Sequence, residues 1–335
     1  MGVMGNTSKK QCVAAMDLGT NSNRLLVADT EGILMYRDVH HVALGEGLAE
    51  CGCFSKEAME RAICSFMNFK DMMQVYNVVK YRAIATAACR MSSNTKQLIE
   101  EVKKASGVDL EVISEFEEAR LTLLGAKLNA PKDKKYLFVY DLGGGSTEIT
   151  LATNSEHPEI LATVSVPLGA RNATEIFKLK NYNPKRAAEL EKKVQQYVDE
   201  FLDKIKDIPY QGQTALIATS STPLRLAAAV KKMTSYDKFA ADGVLISYEE
   251  MEKVIKETLK MNFEERAQSV YIGRNRAGIF VAALIIFRTI YRALGCKSLI
   301  ASLKGAQEAI VADLVNATWQ NSDDTESRVE VYKYS

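Results

Sequence analysis

Two short apolar runs near the start of the chain are separated by a polar turn, and the same shape returns further on. Val13-Ala14-Ala15-Met16 ends at Asp17 and a glycine, and Leu25-Leu26-Val27-Ala28 follows. The pattern predicts two strands joined by a tight loop, a β-hairpin. Leu137-Phe138-Val139-Tyr140 runs into Asp141-Leu142-Gly143, and Ile149-Thr150-Leu151 completes a second hairpin. The two segments align without a gap. Met16-Asp17-Leu18-Gly19-Thr20-Asn21-Ser22 lies over Tyr140-Asp141-Leu142-Gly143-Gly144-Gly145-Ser146, offset by 124 positions. This is an internal duplication on the scale of a domain. A length of 335 residues suits two domains. The polar stretch Asn129 to Lys135 marks the boundary, giving a first unit over 1–130 and a second over 131–310.

Elsewhere the apolar spacing becomes helical. Met59, Ile63, Phe66, Met67 and Met73 predict a helix over Lys56 to Tyr76. Asn183 and Pro184 open a long helix, Asn as cap and Pro in the first turn. Glu249 to Lys260 is a further amphipathic helix, and Ser114-Glu115-Phe116-Glu117-Glu118 starts another with an acidic first turn. The run from Ala277 to Phe287 is shorter than the roughly 20 residues of a membrane span, and Arg288 and Arg292 follow it, so it reads as a buried core helix.

Charge narrows the chemistry. Lys plus Arg total 43 and Asp plus Glu 42, so no global field attracts an anion, and a polyanion needs a local basic cleft. No nucleic-acid or membrane partner is expected. Met1 to Cys12 is polar and is not a signal peptide. The six cysteines form no dense even framework and read as reduced thiols of a cytoplasmic protein. None of the three histidines, His40, His41 and His157, lies beside a nucleophile-like motif, so a general base is sought among carboxylates.

The loop from Asp141 to Glu148 offers the richest set of groups. Its three glycines permit positive φ and close approach, and successive backbone N–H groups in such a turn bind phosphate oxygens. Ser146 and Thr147 add hydroxyls, and Asp141 and Glu148 are hard oxygen ligands suited to Mg²⁺. The earlier loop, Asp17 to Asn23, repeats the inventory with Gly19, Thr20, Asn21 and Ser22. Two such loops facing across a cleft would grip a phosphate chain and hold a metal between two aspartates. Arg90, after the small-residue run from Ala83 to Ala88, offers a planar fork to phosphate. Arg171, Lys178, Arg225, Arg274, Arg276 and Lys304 are candidates for a basic wall.

These motifs, in this order, resemble the exopolyphosphatase and guanosine pentaphosphate phosphohydrolase family, within the superfamily of actin, heat-shock ATPases and sugar kinases. The matching segments are Asp17-Leu18-Gly19-Thr20-Asn21-Ser22, Leu44-Gly45-Glu46-Gly47-Leu48, Arg82-x-x-Ala85-Thr86-x-Ala88-x-Arg90, Glu117-Glu118-Ala119-Arg120-Leu121, Asp141 to Glu148, and Pro167-Leu168-Gly169. The resemblance implies an α/β fold of two actin-like (ribonuclease H-like) domains, each a mixed sheet flanked by helices, with a cleft between. The tail from about residue 311 to 335 is expected to pack back on the first domain.

The resemblance implies that Glu118 is the catalytic base, Arg90 a catalytic, phosphate-contacting arginine, and Glu148, also counted as catalytic, and Asp141 the acids for Mg²⁺ or Mn²⁺, to which the paired loops add Asp17. Phosphate contacts fall to Gly19, Thr20, Asn21, Ser22, Gly143, Gly144, Gly145, Ser146, Thr147 and Arg171. The implied activity is release of terminal orthophosphate from polyphosphate. Guanosine pentaphosphate hydrolysis and a non-catalytic sensor of either ligand stand as alternatives, and a cytoplasmic homodimer is expected. A kinase of the superfamily needs an adenosine pocket, for which no Gly-Gly motif appears. Three segments depart from the family pattern. Ala218-Thr219-Ser220-Ser221-Thr222 lacks two glycines, Arg276-Ala277-Gly278 lacks an acid, and Ser302 to Ala309 lacks an Asp and an Arg.

Overall fold

The computed structural model describes residues 10–318. The polar segment Met1 to Lys9 and the tail beyond Thr318, both subjects of sequence expectations, lie outside the described residues.

Two mixed sheets carry the architecture. The first is built from β1 (Cys12–Leu18), β2 (Asn23–Asp29), β3 (Leu34–His40), β4 (Val78–Ala85) and β5 (Leu110–Val112), in the spatial order β3-β2-β1-β4-β5. The second is built from β6 (Tyr136–Leu142), β7 (Thr147–Thr153), β8 (Ile160–Val166), β9 (Thr214–Thr219), β10 (Leu245–Ser247) and β11 (Ser298–Ser302), in the order β10-β11-β9-β6-β7-β8. The duplication is visible in the pairing. β1-β2-β3 and β6-β7-β8 are both antiparallel meanders, and β4 and β9 pair parallel to the first strand of each. This is the two-domain, actin-like α/β arrangement that the motifs implied.

Helices cover both faces, so the central strands β1 and β6 are apolar for most of their length rather than alternating, with Asp17 and Asp141 near their ends. In β1, Cys12, Ala14, Met16 and Leu18 face Phe66 and Phe69 of the Lys56–Val75 helix. Val13 and Ala15 point the other way, against Ile310, Val311 and Leu314 of the Ala306–Thr318 helix. Successive strand side chains alternate faces, so one strand serves two cores. In the second unit the Phe280–Ala293 helix is buried almost all round, between β6 and the Pro184–Lys204 helix. Among the described residues no helix is long and apolar enough to cross a membrane.

Helix starts follow their capping residues. The Asn183 side chain accepts from Arg186 N at 3.1 Å with Pro184 in the first turn, and Ser114 accepts from Glu117 N at 3.2 Å. The chain passes between the sheets twice, near residues 127–135 and again near 303–305. The passages are tied together: Lys304 Nζ donates to Asn129 Oδ1 at 3.0 Å, and Asn129 Nδ2 donates to Asp242 at 2.6 Å. A Cβ on Gly125 would lie 1.9 Å from Gly305 O, so the Glu115–Ala126 helix runs directly against the second passage.

Candidate active site between the two sheets

The loops of the two hairpins meet at the interface of the halves. In each, the glycine after the strand closes the same turn, Gly19 N to Ser22 O and Gly143 N to Ser146 O, both at 3.0 Å. What lies behind each loop then decides what its amides do. The carbonyls of Gly143 and Gly144 accept from the first turn of the Ala170–Ile176 helix, Ala170 N at 2.9 Å and Arg171 N at 2.8 Å. Asn172 Nδ2 holds the Gly145 carbonyl at 2.7 Å. A trans peptide points its N–H opposite its C=O. The amides of Gly144, Gly145 and Ser146 are therefore turned away from that helix, toward the cavity. The first loop is held the same way: Gly45 N donates to Thr20 O at 2.8 Å and Ala43 N to Asn21 O at 3.0 Å. The Leu44-Gly45-Glu46-Gly47 and Pro167-Leu168-Gly169 motifs are thus the supports of the two loops.

Positive φ is not why this loop is glycine-rich. None of Gly143, Gly144 and Gly145 adopts it. Space is the reason. A Cβ on Gly144 would sit 3.0 Å from Thr20 Cβ, one on Gly145 2.6 Å from Thr20 Oγ1, and one on Gly169 2.5 Å from Gly144 C.

A cavity of about 260 Å³ lies between the loops. Asp17, Gly19 to Ser22, Glu118, Asp141 and Gly143 to Ser146 line it, together with Arg24, Arg37, His41, Arg225, Lys238, Arg276 and Glu308. The Glu115 helix settles which of its acids faces in. Glu117 is held outside by Arg82 at 3.0 Å and Arg120 at 2.7 Å, whereas Glu118 is 9% exposed and bonded by Arg90 Nη1 at 2.8 Å. Burial and the nearby Glu148 raise the Glu118 carboxyl well above the usual range, and Arg90 opposes them. Burial, reinforced by Asp141, pushes Glu148 up to about 7. Burial pushes Asp141 up to about 6, with Asp17 adding to the rise and Arg24 opposing it.

Several groups sit elsewhere than the sequence suggested. Arg90 reaches Glu118 and the Ile113 carbonyl, so it orients the carboxylate rather than lining the cavity. Thr147 is fully buried and donates to Leu168 O at 2.8 Å, bracing the loop from below. Arg171 grips Asn21 Oδ1 from Nε at 3.0 Å and Nη2 at 2.6 Å. Of the expected basic wall, Arg225 and Arg276 line the cavity, but Lys178, Arg274 and Lys304 do not. His41 belongs to the site, its Nδ1 3.1 Å from Ser22 Oγ. The segment Thr219-Ser220-Ser221 still forms a wall despite its missing glycines, with Ser220 held at φ 84°.

Sequence reasoning overlooked Arg24. Its signal is the duplication: in the strand pairing Asp17 faces Arg24 as Asp141 faces Glu148. One register position carries opposite charges in the two halves. Arg24 neutralises Asp17 at 2.6 Å, while Glu148 adds to the charge at Asp141. Among the described residues no three acidic, His or Cys side chains converge to cage a metal by themselves. The donor set still fits Mg²⁺, which binds through one or two carboxylates and completes its shell with water and phosphate oxygens. Asp141 is half-buried on the cavity and Glu148 lies buried behind its lining, and both are raised in pKa by burial and by neighbouring acids, an environment that a cation relieves. Across the cavity Arg276 is pushed down to about 9 by burial and by Arg225 and Arg24. No carboxylate among the described residues pairs with Arg225, Lys238 or Arg276, so this wall favours an anion.

The sequence profile of the Ppx/GppA phosphatase family matches residues 26–318. The chain belongs to that family. It is 27% identical over 294 residues to Exopolyphosphatase 2 of Mycobacterium tuberculosis, covering 84% of this chain and 90% of that protein. An exopolyphosphatase from Cytophaga hutchinsonii superposes with a TM-score of 0.79 at 25% identity, over 92% of this chain and 98% of the other. The Aquifex aeolicus Ppx/GppA family member superposes with a TM-score of 0.74 at 24% identity, over 94% and 99% of the two chains, and shares the fold.

Proposed function

We propose that this Ppx/GppA phosphatase hydrolyses the terminal phosphoanhydride of inorganic polyphosphate and releases orthophosphate. The observation that carries the reading is the facing pair of loops, with their carbonyls tied back and their amides turned onto a cavity lined by both carboxylates and basic side chains. The amides of Asn21, Ser22, Gly144, Gly145 and Ser146, with the hydroxyls of Thr20 and Ser146, hold the terminal phosphoryl oxygens and spread their charge. Arg24, Arg225 and Arg276 face the remaining phosphates. Glu118 accepts a proton from the attacking water, and Arg90 holds its carboxylate in place. A carboxyl with a raised pKa suits a base working near neutral pH. Asp141 and Glu148, with Asp17 opposite, are the groups that would hold Mg²⁺ or Mn²⁺. That ion supplies charge neutralisation on the phosphate oxygens.

Polyphosphate and guanosine pentaphosphate both end in a phosphoanhydride that the two loops and Glu118 address, so turnover separates the two substrates. The test is orthophosphate release from long-chain polyphosphate with Mg²⁺, beside guanosine pentaphosphate under the same conditions. Glu118→Gln keeps the shape and removes the base, and is expected to lower turnover by roughly 10²–10⁴-fold. Wild-type protein that binds polyphosphate without releasing phosphate under either metal would refute the hydrolase reading in favour of a sensor.

A further inference from the structure

Arg171 and Asn172 are neighbours on the first turn of the Ala170–Ile176 helix, yet they bond to different halves of the molecule. Asn172 is 5% exposed, and its amide is fully engaged. Nδ2 donates to Gly145 O at 2.7 Å and Pro167 O at 3.1 Å, and Oδ1 accepts from Gly169 N at 2.8 Å. It sets the second loop. Arg171 leans the other way and delivers two donors to one oxygen, Asn21 Oδ1, in the middle of the first loop. The neighbouring Glu175, one turn on, lies beside the backbone N–H of Gly47, within the turn that supports the first loop. Arg171 Nη1 lies 3.8 Å from Glu175 Oε1. One short helix thus touches both loops and the support of each.

We propose that Arg171 is a positioning residue: its guanidinium fork clamps Asn21, so that the first phosphate loop is held in register with the second, which Asn172 fixes. The amides of the two loops must address the same phosphoryl group, and they belong to different sheets. The halves are otherwise joined by the packing of the Glu115–Ala126 helix on the second sheet, by the contact of Gly144 and Gly145 with Thr20, and by the passages near residues 129 and 304. The clamp adds a polar link through one turn of helix. A single point charge cannot reproduce it, because two N–H groups converging on Asn21 Oδ1 hold that oxygen from two directions.

This inference rests on the hydrolase reading for its kinetic test but not for its structural one. Arg171→Ala is expected to lower kcat for polyphosphate by about 10–100-fold, as a displacement near 1 Å does, with KM changed less than about 3-fold. Arg171→Lys, which keeps the charge and loses the fork, should behave like the alanine variant. In an Asn21→Ala background, Arg171→Ala should cost nothing further, because the partner is already gone. A phosphate ligand would give the opposite pattern: KM rising steeply, Lys rescuing, and equal losses in both backgrounds. That result overturns the proposal. Independently of turnover, Arg171→Ala should speed amide hydrogen exchange in residues 19–22 and 43–47, on the opposite half, while the melting temperature stays within a few degrees. Unchanged exchange there overturns the clamp even if the protein hydrolyses polyphosphate. A wild-type protein inactive on every phosphate substrate removes the proposed function and leaves the exchange result to judge the clamp.

Discussion

Gly169→Ala adds one methyl group where the structure has no room for it. A Cβ there would meet Gly144 C at 2.5 Å, Gly145 N at 2.6 Å and Gly143 O at 2.7 Å. All three are backbone atoms of the phosphate loop, so no side chain can swing aside. Restoring ordinary contact near 3.4 Å moves the loop by roughly an ångström. Overpacking of this kind costs about 1–3 kcal/mol of stability. The kinetic effect is larger, because a shift of about 1 Å in a positioning element costs on the order of 10²-fold in rate, or ~2.7 kcal/mol in the barrier. The displaced carbonyls also lose their bonds from Ala170 N and Arg171 N, so the amides no longer share one aim. The assay is orthophosphate release from polyphosphate with Mg²⁺, with thermal melting to show that the fold survives. Gly278→Ala is the matched control, since a Cβ there meets only Phe263 Cε2 at 3.8 Å. A Gly169→Ala protein that turns over within 3-fold of wild type would refute the argument that the loop is placed by this contact.

Two further outcomes follow from burial and from the meeting of the halves. The Glu148 carboxyl holds its proton more tightly folded, to about pH 7, than its ordinary value of 4.5. Its contribution to stability is therefore full below about pH 4.5 and is lost as pH rises through about 7, so the metal-free protein should melt lower at pH 8 than at pH 5. Glu148→Gln should flatten that slope; an unchanged slope assigns it to other groups. Gly125→Ala drives a methyl into the Gly305 carbonyl and should lower stability by at least about 1–3 kcal/mol in denaturant melts, with a wild-type midpoint as the contrary result.

Much of this was legible along the chain because it is encoded by near neighbours. Short apolar runs and turn residues marked the hairpins, Asn183-Pro184 and Ser114 marked helix starts, and the 124-residue offset exposed the duplication. The same local logic identified the glycine loop and its acids. It did not choose between Glu117 and Glu118, because both sit in one acidic first turn. The phase of the helix against the cleft put Glu118 inside and left Glu117 to Arg82 and Arg120. Likewise a basic residue looks the same in sequence whether it meets phosphate, an acid or an amide. Arg24 was set against Asp17 by strand register, and Arg171 against Asn21, 150 residues away, by the docking of the two halves. His41 carried no catalytic signature in sequence until the pairing of β3 with β2 brought it beside Ser22. The sequence by itself determined the two phosphate loops and the kinds of groups they offer. The tertiary structure alone decided their aim, because a peptide's N–H faces the cavity only when something distant in the chain holds its carbonyl on the other side.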